Sequence, residues 1–83
     1  MSKDEILRIL KEKIVSYTPL KEEDIHIHSD LRDELNLDSA DVLEMTLFIE
    51  EEFNLYMPDE QFDSIRKIED VVGYIEKNYM QVI

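Results

Sequence analysis

Apolar residues recur at helical spacing in three stretches of the chain. The first stretch contains Ile6, Leu7, Leu10, Ile14 and Tyr17. In the second, one narrow arc at about 100° per residue collects Val42, Met45, Thr46, Ile49 and Phe53. The third contains Ile68, Val71, Val72, Ile75 and Tyr79. Because an amphipathic helix buries one apolar face, the pattern predicts three helices.

Cap-forming residues indicate where the first two helices begin. Ser2 and Glu5 fit a capping box that opens the first helix, and Pro19 predicts that this helix ends near Ser16. Asp38 can accept a hydrogen bond from the free N–H groups at the start of the second helix. The central helix is therefore expected over residues 38–53, with Asp38 and Ser39 at its front.

The second half of the chain contains one short helix and one longer one. Asn54 is suited to the left-handed residue that ends the central helix, and residues 58–62 fit a short helix opened by proline. The last helix should begin near Arg66 or Lys67. Gly73 in its interior costs about 1 kcal/mol relative to alanine unless it permits close packing.

The connection between the first two helices, residues 20–37, has no clear helical period. An extended loop anchored by Ile25, Ile27 and Leu31 is expected, because no second strand-like run is present to pair with it. Asp30 could cap a short turn in this loop. The predicted fold is all-α: a small four-helix bundle, three helices long and one short, with a long first loop. We expect residues 1–83 to form a single domain, with 80–83 frayed.

The central helix also carries a second apolar set, well off the core-facing arc. Its members are Ala40, Leu43 and Leu47, which share their side with Glu44, Glu50 and Glu51. An exposed apolar strip edged by carboxylates suits docking onto a basic protein.

Charge supports that interpretation and excludes others. The chain has 9 basic against 21 acidic residues, a net charge of -12, which argues against nucleic acid or an anionic membrane as partner. No Lys or Arg lies between Arg32 and Arg66, and this base-free block includes the central helix. There is no Cys, and we expect neither a metal site nor a membrane span. A cytoplasmic protein is the default expectation.

The segment around Ser39 resembles the prosthetic-group site of acyl carrier proteins. Leu35-Asn36-Leu37-Asp38-Ser39, followed by Asp41-Val42-Leu43-Glu44 and the later Glu50-Glu51-Glu52-Phe53, matches that family's serine motif and second helix. The similarity continues through Met57-Pro58-Asp59-Glu60 to the last helix. It implies a 4'-phosphopantetheine arm, delivered from coenzyme A onto Ser39 with Asp38 beside it, whose thiol holds acyl groups as thioesters.

The resemblance also implies roles for the residues around Ser39. Basic partner enzymes would meet Asp38, Ala40, Asp41, Leu43, Glu44, Leu47, Glu50 and Glu51. An acyl-chain cleft would be lined by Thr46, Ile49, Phe53, Met57 and Ile65, although plain core packing is the favoured explanation for these five. The expected protein is a monomeric, non-catalytic carrier for fatty-acid, polyketide or related biosynthesis, served by a phosphopantetheinyl transferase and by acyl-loading and synthase enzymes.

The sequence departs from the family pattern at two positions. Ala40 replaces the leucine usual after the serine, and Asn36 stands where glycine is common. Together with the bulky Phe48, these changes suggest a specialised carrier. An aminoacyl or peptidyl carrier and an acidic helical adaptor without a prosthetic group stay open as alternatives.

Two further classes fit the residues poorly. A serine hydrolase would combine Ser39 with His26 or His28, but the chain has no Gly-x-Ser-x-Gly motif. A calcium-binding loop at residues 30–36 would lack the required ligand spacing and glycine.

Overall fold

The computed structural model describes residues 2–79, and these residues form a helical bundle. Helix α1 spans Lys3–Tyr17, α2 Ser39–Phe53, α3 Asp59–Ser64 and α4 Ile68–Asn78. The predicted all-α fold with three longer helices and one short one is confirmed. The predicted fraying of 80–83 lies outside the described residues.

The helix ends fall within about two residues of their predicted positions for local reasons. Ser2 caps α1, which continues to Tyr17 rather than ending near Ser16. Pro58 precedes α3 as its N-cap, and α3 extends to Ser64. Asn54 ends α2 in the left-handed conformation, with φ 51°.

The start of α4 shows how basic residues can precede a helix. Lys67 is the N-cap, and the carboxylate of Asp70 accepts hydrogen bonds from the N–H groups of Lys67 at 3.0 Å and Arg66 at 3.1 Å. An acid in the first turn thus accepts hydrogen bonds from the two N–H groups that precede α4, where the basic side chains have no acceptor atom to offer.

The core lies where α1 packs against both α2 and α4. Burial is complete along these faces: Leu10 of α1, Ile49 of α2 and Ile75 of α4 are each 0% exposed. All five residues assigned to the core-facing arc of α2 are buried. This packing fixes the rotation of α2 and hence which residues it presents outward.

The first loop is anchored in the core and tied to the start of α4. Ile25 and Leu31 are buried, whereas Ile27 is half-buried. The loop contains a 3₁₀ helix at Glu22–Asp24, which the hydrophobic pattern did not predict. An isolated antiparallel bridge joins Asp30 to Lys67. The expected unpaired loop thus gains backbone partners from the α3–α4 connection rather than from a second strand.

The described residues, 2–79, contain no helix that is both long enough and apolar enough to cross a membrane.

Candidate functional site

Ser39 is the first residue of α2, and its position is set by a reciprocal pair of caps. Asp38 Oδ1 accepts a hydrogen bond from the Asp41 N–H at 2.8 Å, and Asp41 Oδ2 accepts one from the Asp38 N–H at 3.2 Å. Both carboxylates therefore hold the loop-to-helix junction. Ser39 and Ala40 are exposed beside it, so the serine hydroxyl is accessible to another protein.

The hydroxyl of Ser39 has one partner that the sequence did not reveal. Arg32 Nη2 donates a hydrogen bond to Ser39 Oγ at 3.3 Å. Because a guanidinium can only donate, the serine O–H proton stays free to be given up. Arg32 is the last basic residue before the base-free block, and that break in the charge pattern is the signal that could have pointed to it.

A tight turn brings Arg32 back toward Ser39. Asp30 Oδ1 accepts hydrogen bonds from the N–H groups of Asp33 at 2.8 Å and Arg32 at 2.9 Å, and these bonds lower the pKa of the Asp30 carboxyl. The turn closes where Leu37 N–H donates to Leu31 O at 2.9 Å. Asn36 supplies the left-handed residue within it, with φ 58°, which asparagine adopts more readily than most residues.

The second apolar set of α2 lies at the surface as predicted. Leu43 and Leu47 are each 50% exposed, and Ala40 is exposed ahead of them. We call these three residues the apolar strip. Half-exposed leucines on a helix are a surface on which a partner can bury apolar area.

The carboxylates beside the strip fall into two groups. Those of Asp38, Asp41 and Glu50 are engaged within the protein; Glu50 Oε2 accepts from the Met57 N–H at 3.1 Å. Glu44 and Glu51 are exposed and make no side-chain hydrogen bond or ion pair with residues 2–79. These two are thus free to meet a basic partner, whereas the other three also stabilise the fold.

Tyr17 connects α1 to the acidic start of α2. Its hydroxyl donates to the backbone oxygen of Asp41 at 2.9 Å. Burial of the ring, followed by the charges of Asp41 and Glu44, raises the pKa of Tyr17 to about 12. The Tyr17 hydroxyl therefore keeps its proton, and with it this hydrogen bond, to a higher pH than an ordinary tyrosine would.

The five residues expected to line an acyl cleft do not share one cavity. Thr46 and Met57 line a cavity of about 270 Å³, and Ile65 lines a separate one of about 300 Å³. Phe62, which is not one of the five predicted residues, lines both. Ile49 and Phe53 are 0% and 1% exposed in the core. Phe62 thus stands between two separate openings beside α2.

The residues that a serine hydrolase or a calcium-binding loop would use are engaged in other contacts. His28 Nδ1 lies 3.1 Å from Glu69 Oε2 at the start of α4, and within residues 2–79 neither histidine bonds to Ser39. Asp30 uses its carboxylate on backbone N–H groups, and no cluster of three metal-binding side chains occurs in the described part of the chain.

Comparison with known proteins finds a matching family and relatives that align with most of this chain. A family model described as a phosphopantetheine attachment site matches residues 8–75, a range that contains Ser39. A relative from Coprothermobacter proteolyticus, named acyl carrier protein, is 37% identical over 94% of this chain and 95% of its own length. A second protein of that name, from Wolinella succinogenes, is 38% identical over 83% of this chain and 91% of its own.

The fold agrees with the sequence comparisons. The crystal structure of an acyl carrier protein from Thermotoga maritima superposes with a TM-score of 0.82 at 27% identity, covering 93% of this chain and 89% of that one.

Proposed function

Since the chain belongs to the acyl carrier protein family, we propose that Ser39 is the residue through which it carries its phosphopantetheine arm. The observation that supports this is that Ser39 is exposed at the start of α2, at a junction held by the Asp38 and Asp41 caps. Its hydroxyl accepts a hydrogen bond from Arg32, so its own proton is free to be given up. When bound, the arm supplies a terminal thiol that holds acyl groups as thioesters.

The residues around Ser39 fit such an attachment. Ala40 offers only a methyl group next to the hydroxyl, so nothing bulky stands in the way of a transferase on that side. In the transfer, Ser39 Oγ bonds to phosphorus, the pyrophosphate bond of coenzyme A breaks, the hydroxyl proton leaves and the nucleotide half departs. This protein needs no catalytic group of its own for that step, because the transferase supplies it.

Partner enzymes would approach along the apolar strip. Leu43 and Leu47 supply the area to be buried, and Glu44 and Glu51 supply charges that are not already engaged. Exposed ion pairs contribute only about 0.2 to 1 kcal/mol each, so the acids would mainly steer and orient the partner. The proposed surface also includes Ala40, Asp38, Asp41 and Glu50. The three carboxylates among them already accept hydrogen bonds from backbone N–H groups of this protein.

The acyl chain is proposed to enter the space beside α2 that Thr46, Met57 and Ile65 line. Because Phe62 lies between the two cavities, a long chain would have to displace its ring to use both. Ile49 and Phe53 would then form the floor beneath the chain rather than its walls. We propose fatty-acid, polyketide or related biosynthesis as the setting; a cytoplasmic location and a monomeric state remain predictions.

Intact mass after incubation with coenzyme A and a phosphopantetheinyl transferase tests the assignment. Wild type should gain the mass of one arm and Ser39→Ala none, since the variant lacks the nucleophile. Ser64→Ala removes another exposed serine, at the end of α3, and should load like wild type. Loading of Ser39→Ala would place the site elsewhere, and an unmodified wild type across several transferases would favour the acidic adaptor.

A further inference from the structure

The guanidinium of Arg32 lies close enough to Ser39 to balance a negative charge attached there. Its guanidinium Nη2 lies 3.3 Å from Ser39 Oγ, the atom to which the proposed function attaches a phosphodiester. Close to Ser39 in the chain are two carboxylates, those of Asp38 and Asp41, which cap the helix. An anion added at Ser39 would repel both.

No other basic residue is near Ser39 in sequence, and the fold brings this one to the helix. The base-free block begins directly after Arg32, yet the turn at residues 30–37 reverses the chain so that Arg32 reaches α2. The backbone of the turn is held by Asp30 and by the Asn36 N–H, which donates to Arg32 O at 3.1 Å. None of these three bonds uses the guanidinium, so that group stays available.

We propose that Arg32 binds the phosphodiester of the loaded protein and orients the first bonds of the arm. This inference rests on the proposed attachment at Ser39 and goes beyond it. A guanidinium presents several N–H donors in a plane and matches the oxygens of a phosphate better than an ammonium does. The same hydrogen bond that now reaches Ser39 Oγ would pass to a phosphate oxygen on the phosphorus that Oγ binds.

The test compares phosphorus-31 NMR spectra of fully loaded protein variants. Arg32→Gln should shift the phosphorus signal and narrow it, because the contact that restrains the phosphate is lost. Arg32→Lys should fall between wild type and Arg32→Gln. The ratio of contacted to free phosphate should be roughly two- to fivefold higher in wild type than in Arg32→Gln, as expected for an exposed ion pair. In 1 M salt the Debye length falls to about 3 Å, so the wild-type phosphorus signal should move toward that of Arg32→Gln.

Arg66→Gln is the matched control. Arg66 lines the same cavity as Arg32 and carries the same charge, but its side chain makes no hydrogen bond to Ser39. Its loaded form should keep the wild-type phosphorus signal. In loaded wild type, the Nε–H resonance of Arg32 should also move relative to the unloaded protein.

The outcomes separate the two proposals. Full loading of every variant with identical phosphorus signals for wild type and Arg32→Gln would overturn the role of Arg32 alone. If the Arg66→Gln spectrum matched that of Arg32→Gln, the signal would report the loss of any nearby positive charge, and the specific role of Arg32 would be overturned too. A wild type that accepts no arm would remove both proposals together.

Discussion

The two sides of α2 use similar residues for opposite purposes. On one side Val42, Met45 and Ile49 are at most 4% exposed against α1 and the rest of the core. On the other, Leu43 and Leu47 are each 50% exposed. One side holds the bundle together, and the other leaves apolar area that only a partner can bury.

The difference arises from rotation and not from residue type. Neighbouring positions on a helix point about 100° apart, so Val42 and Leu43 face different surroundings although both are aliphatic. Leucine at an exposed position is common in isolation, but two of them one turn apart beside free carboxylates form a continuous surface. The comparison predicts that truncating a side chain on the core side and truncating one on the exposed side have different consequences.

Truncating the core side should have the largest effect. Ile49→Ala removes buried groups that the surrounding helices cannot fully replace, and should lower the free energy of unfolding by about 2 to 5 kcal/mol. Urea denaturation followed by circular dichroism measures it. Leu47→Ala on the other side should change stability by less than about 0.5 kcal/mol. Equal losses from the two variants would contradict the distinction between the sides.

The sequence was sufficient to assign these two sides because both depend on local periodicity. The period placed all five core residues of α2 correctly and also the second apolar set, and cap chemistry placed Asp38 and Asn54. The family resemblance predicts Ser39 as the attachment residue, and that assignment stays a proposal. These features all lie within one helix or at its ends, where neighbours in sequence decide the outcome.

Features that depend on distant segments could not be predicted in this way. The contact of Arg32 with Ser39 requires the turn at residues 30–37, and the division of the expected cleft requires α3 to place Phe62 between two cavities. The bridge between Asp30 and Lys67 joins segments far apart in the chain. Periodicity carries no information on such contacts, because they are set by how the elements pack.

On the exposed side, the expected consequence is loss of partner binding. Leu47→Ala should weaken the interaction with a phosphopantetheinyl transferase about fivefold, the value expected for withdrawing roughly half a leucine side chain from a buried contact. The KM for loading of the carrier, at saturating coenzyme A, measures this effect. Glu52→Gln, which lies outside the proposed surface, removes an exposed charge from the same helix and serves as the control. An unchanged KM for Leu47→Ala would mean that this transferase does not use the strip.

Gly73, which is partly exposed on α4, tests whether helix propensity alone decides the stability effect at such a position. A Cβ added at Gly73 would meet nothing within 4 Å, so close packing does not explain the glycine. Gly73→Ala should therefore stabilise the protein by about 1 kcal/mol through helix propensity. Thermal and urea denaturation measure the change. A destabilised variant would contradict the conclusion that a methyl group at this position meets no neighbour.

The smallest effect is expected at Tyr17, the residue of α1 whose hydroxyl donates to the backbone of Asp41 at the start of α2. Its pKa in the folded protein is about 12, raised from 10.0 first by burial and then by Asp41 and Glu44. A group whose folded pKa is raised contributes stability below its unfolded pKa, and this contribution is lost as pH rises from about 10 to about 12. Because the side chain is partly exposed, solvent screening makes the loss smaller than the shift alone would imply. Stability of wild type should therefore fall more steeply than that of Tyr17→Phe across this range. Parallel slopes, or a Tyr17 ultraviolet titration near pH 10, would show that the ring and the acids of α2 are not coupled in this way.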